Sequence, residues 1–477
     1  MSTYTLTVGL EVHAELATKT KMFCKSKNDP NAKNPNTNVC PVCMAHPGTL
    51  PVINREAVHQ VLRVGAALGG ALADYTEFDR KNYFYPDIPK GYQISQYEYP
   101  LVSGGSLCGV DITRVHLEED TASSMHDDVR GVTLIDFNRA GVPLMELVTE
   151  PVMHSPEEVG AFARELQLLL RYLGVSDANM EKGEMRVEAN ISVSNGDALG
   201  TKVEVKNLNS FKAMERAIAF EEKRHIALLE SGKTVIQETR GWDDARQETF
   251  VQRVKEGSAD YRYFPDPDLP KLKIADIKDF SLETLQESLP ELPSQRRARY
   301  IAMGVKEEDA AMYTRYRSVG SFFDGVAEVL GQEKEHIILA SNYISNDLVP
   351  HIRDIESRDS EIKGKIEISA KNFAALVEMI VSGEVSSRGA KDTLLLMLAD
   401  TQKDPRSLAE NAGLMQSSNE DEIKAMVEEI INENPEVVAD YRGGKEASLQ
   451  FLVGQGMKKS KGSANPKMLQ SIFKDLL

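Results

Sequence analysis

The feature that most constrains the fold of this chain is a set of short segments in which apolar and polar residues alternate. In the first of them, TVGLEVHAEL at residues 7–16, every second side chain is apolar, and Glu11, His13 and Glu15 share the opposite face. This period of two predicts a strand with one buried face. A single strand with a solvated face has the same pattern, so what matters is whether other segments repeat the acidic face.

Four further segments repeat the alternation and carry carboxylates on their polar faces. They are VHLEED (115–120), PLMELVTEP (143–151), MRVEANISV (185–193) and TKVEVKN (201–207). If these strands are neighbours in one sheet, their carboxylates form a concave acidic wall. Crowded like charges are costly unless a cation neutralises them, and oxygen ligands with an imidazole suit Mg²⁺ or Mn²⁺. The pattern therefore predicts a divalent metal site, with plain alternation of core and solvent faces as the alternative.

The order of the patterns predicts the domain organisation. Strand-like and helix-like segments interleave up to about residue 290, and helical periods then run to the end, with a second break near ADTQKDPRSL. The clearest helix signal is SPEEVGAFARELQLLLRYLG, in which Ser155 is the N-cap and Gly174 the stop. We expect an α+β fold. Its expected domains are an antiparallel sheet with helices (1–290), an all-helical domain (291–400) and a small helical tail (401–477).

Charge and composition limit the function classes. A formal net charge of −17 argues against blanket binding to nucleic acid. No apolar run reaches the roughly 20 residues that a membrane helix needs, and the N-terminus enters a strand without a signal segment, so we expect a cytoplasmic protein without membrane contact. The tail is locally basic, since seven Lys or Arg oppose three Asp or Glu from Asp440 onward. This excess fits a nucleic-acid contact or a solvated helix face.

Three of the four cysteines cluster in the sequence. Cys40 and Cys43 form the CPVC spacing of a metal knuckle, and Cys24 lies upstream at a loop-length distance. A zinc site needs a fourth ligand, for which His46 is the nearest candidate. The alternative is a set of reduced packing cysteines.

The stretch RKNYFYPDIPKGYQISQY at 80–97 holds five aromatic residues interleaved with cations. Such a mixture can stack a base or ribose and bind phosphate, so Tyr83, Tyr85 and Lys90 are candidate nucleotide contacts. A loop packed around its two prolines is the alternative. The common phosphate loop is absent, because GKT at 232–234 lacks the upstream glycine. Any nucleotide must therefore bind through the metal and the sheet.

Seven segments together resemble the B subunits of aspartyl/glutamyl-tRNA amidotransferases (GatB). They are GLEVHAEL, DRKNYFYPDIPKGYQISQY, HLEED, DFNRAGVPLMELVTEP, KVEVKNLNSF, RVKEGSADYRYFPDPDLP and FLVGQGMKKSKGSANP, and they occur in the family's order along the whole chain. The resemblance implies a cradle-like first domain and an ATP- and Mg²⁺-dependent ligase. In that reaction the side-chain carboxylate of Glu-tRNA(Gln) or Asp-tRNA(Asn) is phosphorylated, and ammonia then displaces phosphate. An amidase partner (GatA) that makes ammonia from glutamine and a small third partner (GatC) complete the implied heterotrimer.

The resemblance also implies roles for individual residues. Mg²⁺ ligands are expected at three positions of the family motifs, namely His13, Glu119 and Glu146. Candidate catalytic residues around the same pocket are Glu11, Glu188, Glu204 and Lys206. In the family the tail senses the outer corner of the tRNA, which makes Lys458, Lys459 and Lys461 candidate tRNA contacts.

One departure from the family concerns zinc. Relatives that carry zinc have Cys-x-Cys before the CPVC, whereas this chain has Ser26 at the second position. The resemblance therefore implies a structural zinc on Cys24, Cys40 and Cys43 or none.

Two other functions fit the same residues. A scaffold that only holds tRNA predicts no ATP turnover in the assembled complex. A metal-dependent phosphohydrolase that acts alone predicts turnover without partner subunits or tRNA.

Overall fold

The computed structural model divides into two compact units, Met1–Pro293 and Ser294–Leu477. The structure describes residues 4–127, 129–254, 261–331, 333–352, 366–416, 420–460 and 464–477. A sheet-rich first part followed by helices confirms the predicted α+β class. The ranges of the three predicted domains stay a prediction.

The first unit contains both strands and helices. Its strands are β1 (Thr5–Glu15), β2 (Ala71–Leu72), β3 (Tyr75–Thr76), β4 (Asp79–Asn82), β5 (Tyr92–Ser95), β6 (Val102–Ser103), β7 (Ser106–Leu107), β8 (Val110–Glu119), β9 (Ser123–Asp127), β10 (Val132–Asp136), β11 (Pro143–Thr149), β12 (Met185–Ser194), β13 (Val203–Lys206), β14 (Glu238–Asp243), β15 (Glu248–Val254), β16 (Phe264–Pro265) and β17 (Leu272–Lys273). Its helices are α1 (Arg55–Leu68), α2 (Pro156–Leu173), α3 (Phe211–Glu230) and α4 (Leu282–Glu287), with 3₁₀ turns at Ile274–Asp276 and Lys278–Phe280.

The main sheet of the described residues has the order β15-β14-β13-β12-β1-β11-β8-β6-β2, and β7 pairs with β8. All of its pairs are antiparallel except β13 with β14, which is parallel. The first strand of the sequence is therefore near the middle of the sheet, between β11 and β12. Its apolar face, with Val8, Leu10 and Val12, is fully buried in the main hydrophobic core.

Local sequence signals explain the helix that was easiest to predict. The Ser155 hydroxyl accepts a hydrogen bond from the backbone of Glu158, and Pro156 occupies the first turn of α2. Gly174 ends the helix in a left-handed conformation with φ 65°. The predicted cap and stop of this helix are confirmed.

The second unit is helical throughout its described residues. Its helices are α5 (Pro293–Ala302, which begins at the boundary), α6 (Glu307–Arg315), α7 (Arg317–Leu330), α8 (Lys334–Tyr343), α9 (Ala370–Val381), α10 (Ser387–Ala399), α11 (Pro405–Asn411), α12 (Glu420–Glu433), α13 (Pro435–Arg442), α14 (Ala447–Lys459) and α15 (Pro466–Leu476), with a π turn at Ile344–Leu348 and a 3₁₀ turn at Val349–His351. Among the described residues, the buried side chains form two separate apolar clusters, one between Tyr300 and Ala409 and one between Ile423 and Phe473.

Across the described part of the chain, no helix combines the length and the apolar character that crossing a membrane requires.

Candidate active site

A polar cavity of about 430 Å³ lies on the polar face of the main sheet. Its lining includes carboxylates from β1, β8, β11, β12 and β13, the strands whose sequences alternate. Strand register brings these carboxylates together, because His13 of β1 lies opposite Glu146 of β11 and Glu11 lies opposite Glu188 of β12. The acidic wall that the sequence predicted therefore exists in the first unit.

One cluster in this wall combines an imidazole with two carboxylates. Ligand atoms of His13, Glu118 and Glu146 all lie within 4.8 Å of one another. His13 Nε2 is 3.3 Å from Glu146 Oε2 and 3.8 Å from Glu118 Oε1. On the other side of Glu146, His116 Nε2 is 3.4 Å from the same oxygen. One imidazole and two carboxylates on three adjacent strands are a donor set that fits a hard divalent cation.

The charges of this cluster act on each other strongly. Burial alone lowers the pKa of His13, but the hydrogen bond and negative charge of Glu146, with further charge from Glu118 and Glu188, outweigh it and raise the pKa to about 9. The pKa of Glu146 is well below its usual range, because the two neighbouring histidines outweigh the effect of burial. Without a cation, a protonated His13 balances the carboxylates at neutral pH.

A second cluster consists of carboxylates alone. Ligand oxygens of Glu11, Glu188 and Glu204 lie within 4.8 Å of one another. Lys206 Nζ is 2.7 Å from Glu188 and 3.5 Å from Glu204, and these two charges outweigh burial and raise the pKa of the lysine. The hydroxyl of Thr239 donates to Glu204 at 2.7 Å. The structure thus brings together the four predicted catalytic residues, with one ammonium among three carboxylates.

Glu15, the third polar residue of β1, belongs to a different group. Burial and the charge of Asp120 raise the pKa of Glu15 to about 8, against the opposing effect of Arg186 and Arg139. Arg186 donates to Asp120 at 2.6 Å. Glu15 is therefore mostly protonated at neutral pH, which lessens the repulsion along the strand.

The structure groups Glu118, rather than the predicted ligand Glu119, with His13 and Glu146. The Glu119 carboxylate accepts hydrogen bonds from Lys90 Nζ at 2.6 Å and from the backbone of Ile94 at 2.9 Å. Adjacent residues of a strand face opposite sides, so Glu118 and Glu119 lie on different faces of β8, and the ligand role of Glu119 stays a prediction.

Of the three predicted nucleotide contacts, only Tyr83 lines this cavity. Tyr85 is 61% exposed and lies beside Tyr83. Lys90 is bound to Glu119 and lines a neighbouring cavity of about 220 Å³ instead. The lining residues that the sequence analysis did not choose as site residues include Lys81, Tyr97, Tyr261 and Tyr263. The alternation in YRYF was a signal for the last two.

The three clustered cysteines also meet in space. The sulfur atoms of Cys24, Cys40 and Cys43 lie within 4.8 Å of one another, and Ser26 Oγ is 3.9 Å from the Cys43 sulfur. Lys21 is completely buried with its Nζ 3.8 Å from the same sulfur. A hydrogen bond from Cys24, supported by the Lys21 charge, lowers the pKa of Cys43 to about 4. His46 lines the adjacent cavity but does not belong to this cluster.

The predicted tRNA contacts are only partly described. Lys458 and Lys459 form the last turn of α14, and Lys461 lies outside the described residues. Lys458 is exposed, whereas Lys459 Nζ contacts Glu429 at 2.9 Å and Glu433 at 3.0 Å. Lys459 is therefore already paired within the tail.

Comparison with known proteins identifies the class to which this fold and site belong. The profile of the GatB/GatE catalytic domain matches residues 6–278, and that of the GatB domain matches 322–477. Three relatives are named as B subunits of the aspartyl/glutamyl-tRNA(Asn/Gln) amidotransferase. They come from Thermomicrobium roseum (43% identical, 98% of both chains), Brevibacillus brevis (39%, 100% of this chain and 99% of the relative) and Thermoanaerobacter pseudethanolicus (41%, 99% of both). The chain belongs to the family of aspartyl/glutamyl-tRNA amidotransferase B subunits.

Proposed function

We propose that this chain is the part of a cytoplasmic tRNA-dependent amidotransferase in which the aminoacyl group is activated and amidated. ATP phosphorylates the side-chain carboxylate of Glu-tRNA(Gln), Asp-tRNA(Asn) or both, and ammonia then displaces the phosphate. The observation that carries the proposal is the pair of metal-compatible clusters, His13–Glu118–Glu146 and Glu11–Glu188–Glu204, in one cavity. Both include residues from one face of β1, about 7 Å apart along the strand.

The chemistry explains why such a cavity is needed. A carboxylate resists attack because its leaving group would be oxide, and phosphorylation supplies a better one. Bound Mg²⁺ would screen the repulsion between the phosphate groups and the substrate carboxylate. The first cluster offers oxygen and nitrogen ligands for it, and the second offers carboxylates that Lys206 partly neutralises.

Two cations of the chain are suited to hold phosphate. The pKa of Lys81 is raised because Glu118, Tyr263 and Glu146 outweigh the effect of burial, so this lysine stays charged. Lys206 is held between Glu188 and Glu204 by the contacts described above. A metal at the carboxylates would free the Lys206 ammonium for a phosphate oxygen.

The partners follow from the reaction. Ammonia must arrive as the neutral molecule, so it needs a source and a path shielded from bulk water. The amidase partner supplies it from glutamine, and the small third partner completes a heterotrimer. The substrate of this assembly is the misacylated tRNA.

Reconstitution tests the function. The chain is combined with the amidase and the small partner, misacylated tRNA, ATP, Mg²⁺ and glutamine, and Gln-tRNA or Asn-tRNA is measured. Formation of the amidated product with release of ADP is expected. Absence of both ATP turnover and amidated product in the assembled complex would favour a scaffold, and ATP turnover by the isolated chain would favour a phosphohydrolase.

We also propose a structural zinc on the three cysteines. Three sulfur atoms within 4.8 Å suit Zn²⁺, and the buried Lys21 ammonium offsets the surplus charge of three thiolates. Metal analysis is expected to find about one zinc ion per chain. Cys43→Ser should remove it and destabilise the protein by about 1–3 kcal/mol in denaturant unfolding.

The matched control for this prediction is Cys108→Ser, since Cys108 is exposed and outside the cluster. It should retain zinc and stability. If the unmodified protein contains no zinc and both variants are as stable as it is, the cysteines are packing residues.

We propose that the tail, expected at 401–477, contacts tRNA. The double variant Lys458→Ala, Lys461→Ala should raise the Michaelis constant for misacylated tRNA. Since each lost phosphate contact lowers the salt slope of binding by about one, the slope should fall by about two. Lys459→Ala should have a smaller effect, because Glu429 and Glu433 already occupy that ammonium. An unchanged slope in the double variant would exclude this contact.

A further inference from the structure

Four tyrosines that line the acidic cavity form a continuous row of ring contacts. Tyr97 and Tyr263 stack with their centroids 4.2 Å apart and their planes at 11°. The row continues from Tyr263 to Tyr261 at 6.0 Å and from Tyr261 to Tyr83 at 5.9 Å. All four line the same cavity as the carboxylates of the two clusters.

The row is not part of a hydrophobic core. None of these four rings belongs to the apolar clusters formed by the described residues, and Tyr97 is 60% exposed. Polar contacts hold the segment instead, since the backbone of Asn82 donates to Tyr261 O at 3.0 Å and its side chain donates to Arg262 O at 2.8 Å. Tyr97 is exposed and the other three tyrosines are half-buried, so packing in a hydrophobic core does not explain their place in a charged cavity.

A cation connects the row with the metal-compatible cluster. Lys81 Nζ lies 5.2 Å from the centre of the Tyr261 ring. The negative charges that act on Lys81 most strongly include Glu118 and Glu146 of the first cluster. An aromatic surface, an ammonium and a carboxylate cluster thus line one cavity together, which matches the base, the phosphates and the cation of a nucleotide.

We propose that Tyr97 and Tyr263 form a stacking platform for an adenine ring and that Lys81 contacts the phosphate attached to that adenosine. The inference rests on the proposed function, which brings two adenosines to this cavity, that of ATP and the 3′-terminal adenosine of the tRNA. Stacking suits both because every base has an aromatic face, and it contributes about 1–3 kcal/mol per base. Removing one ring should therefore weaken binding about 5- to 150-fold.

The test uses the reconstituted heterotrimer with Tyr97→Ala, Tyr263→Ala and Tyr263→Phe. Calorimetry measures the dissociation constants of ATP and of inorganic triphosphate, which has no base, and kinetics give the Michaelis constants of ATP and misacylated tRNA. The matched control is Tyr99→Ala, since Tyr99 packs edge-on against Tyr75 outside the cavity. It should change none of these constants.

The outcomes separate the two sources of adenosine. Weaker ATP binding with unchanged triphosphate binding assigns the platform to the base of ATP, and a raised Michaelis constant for tRNA alone assigns it to the terminal adenosine. Tyr263→Phe should retain wild-type constants in either case because the ring is kept. If both alanine variants leave every constant within about twofold, the platform is wrong, while amidation by the unmodified complex tests the function separately.

Discussion

Glu146→Gln is expected to abolish ATP-dependent amidation in the assembled complex. The Glu146 carboxylate lies 3.3 Å from His13 and 3.4 Å from His116, so it is central to the metal-compatible cluster. The amide is nearly isosteric but has no charge, so the cluster loses a ligand while the strand keeps its shape. Removing a group that only hydrogen-bonds to a metal ligand lowers metal affinity about 10- to 100-fold. Removing the ligand itself should lower the affinity further. Mn²⁺ binding by paramagnetic resonance and product formation measure the two effects.

The control for this variant is Glu150→Gln. Glu150 follows the same strand but accepts a hydrogen bond from Thr113 and does not line the cavity. Glu118→Gln should lose Mn²⁺ binding as Glu146→Gln does, and the glutaminase reaction of the amidase partner should continue in both. Amidation above about a tenth of the wild-type rate in Glu146→Gln would remove this cluster from the mechanism.

The alternating sequence was enough to predict which residues form much of the acidic wall, but not how the strands that carry them are arranged. A period of two assigns Glu11 and His13 to one face of β1 whatever its neighbours are. No local pattern shows which strands pair with each other, because pairing joins residues that are far apart in the sequence. The position of β1 between β11 and β12 and the parallel pairing of β13 with β14 both depend on such distant contacts. The register that places His13 opposite Glu146 could therefore only come from the structure.

The grouping of Glu118, rather than Glu119, with the histidines could have been read from the sequence. The same alternation that identified the segment VHLEED groups Glu118 with His116 and puts Glu119 on the other face. The assignment by resemblance overrode that pattern. Tyr261 and Tyr263 are a different case, because their position in the cavity depends on Asn82, about 180 residues earlier in the chain.

The affinity of the first cluster for Mn²⁺ should rise steeply with pH in the metal-free complex. A histidine must lose its proton to bind a metal, and the pKa of His13 is raised to about 9, mainly by the hydrogen bond and charge of Glu146. Below that pH each unit should therefore raise the affinity about tenfold, and above it the dependence should flatten. Calorimetric titration with Mn²⁺ between about pH 6.5 and 9 measures the slope.

The free energy of unfolding of the metal-free protein should fall as the pH rises. The pKa of His13 in the folded protein is above its unfolded value of 6.5, so its stabilising contribution is complete below pH 6.5 and is lost as the pH rises towards 9. The loss is at most about 3 kcal/mol and should be visible in denaturant unfolding. Saturating Mn²⁺ should remove this decline, because the cation replaces the proton as the counter-charge of Glu118 and Glu146.

Two histidine variants separate this effect from general pH sensitivity. His13→Gln should flatten both the affinity slope and the stability decline. His126→Gln should change neither, since His126 lies in the exposed β9 strand beside Thr133. A slope that persists in His13→Gln would mean that another group of the cavity gives up the proton. Coupling between metal and proton at this one imidazole would explain why a strand at the centre of the sheet carries a histidine between two glutamates.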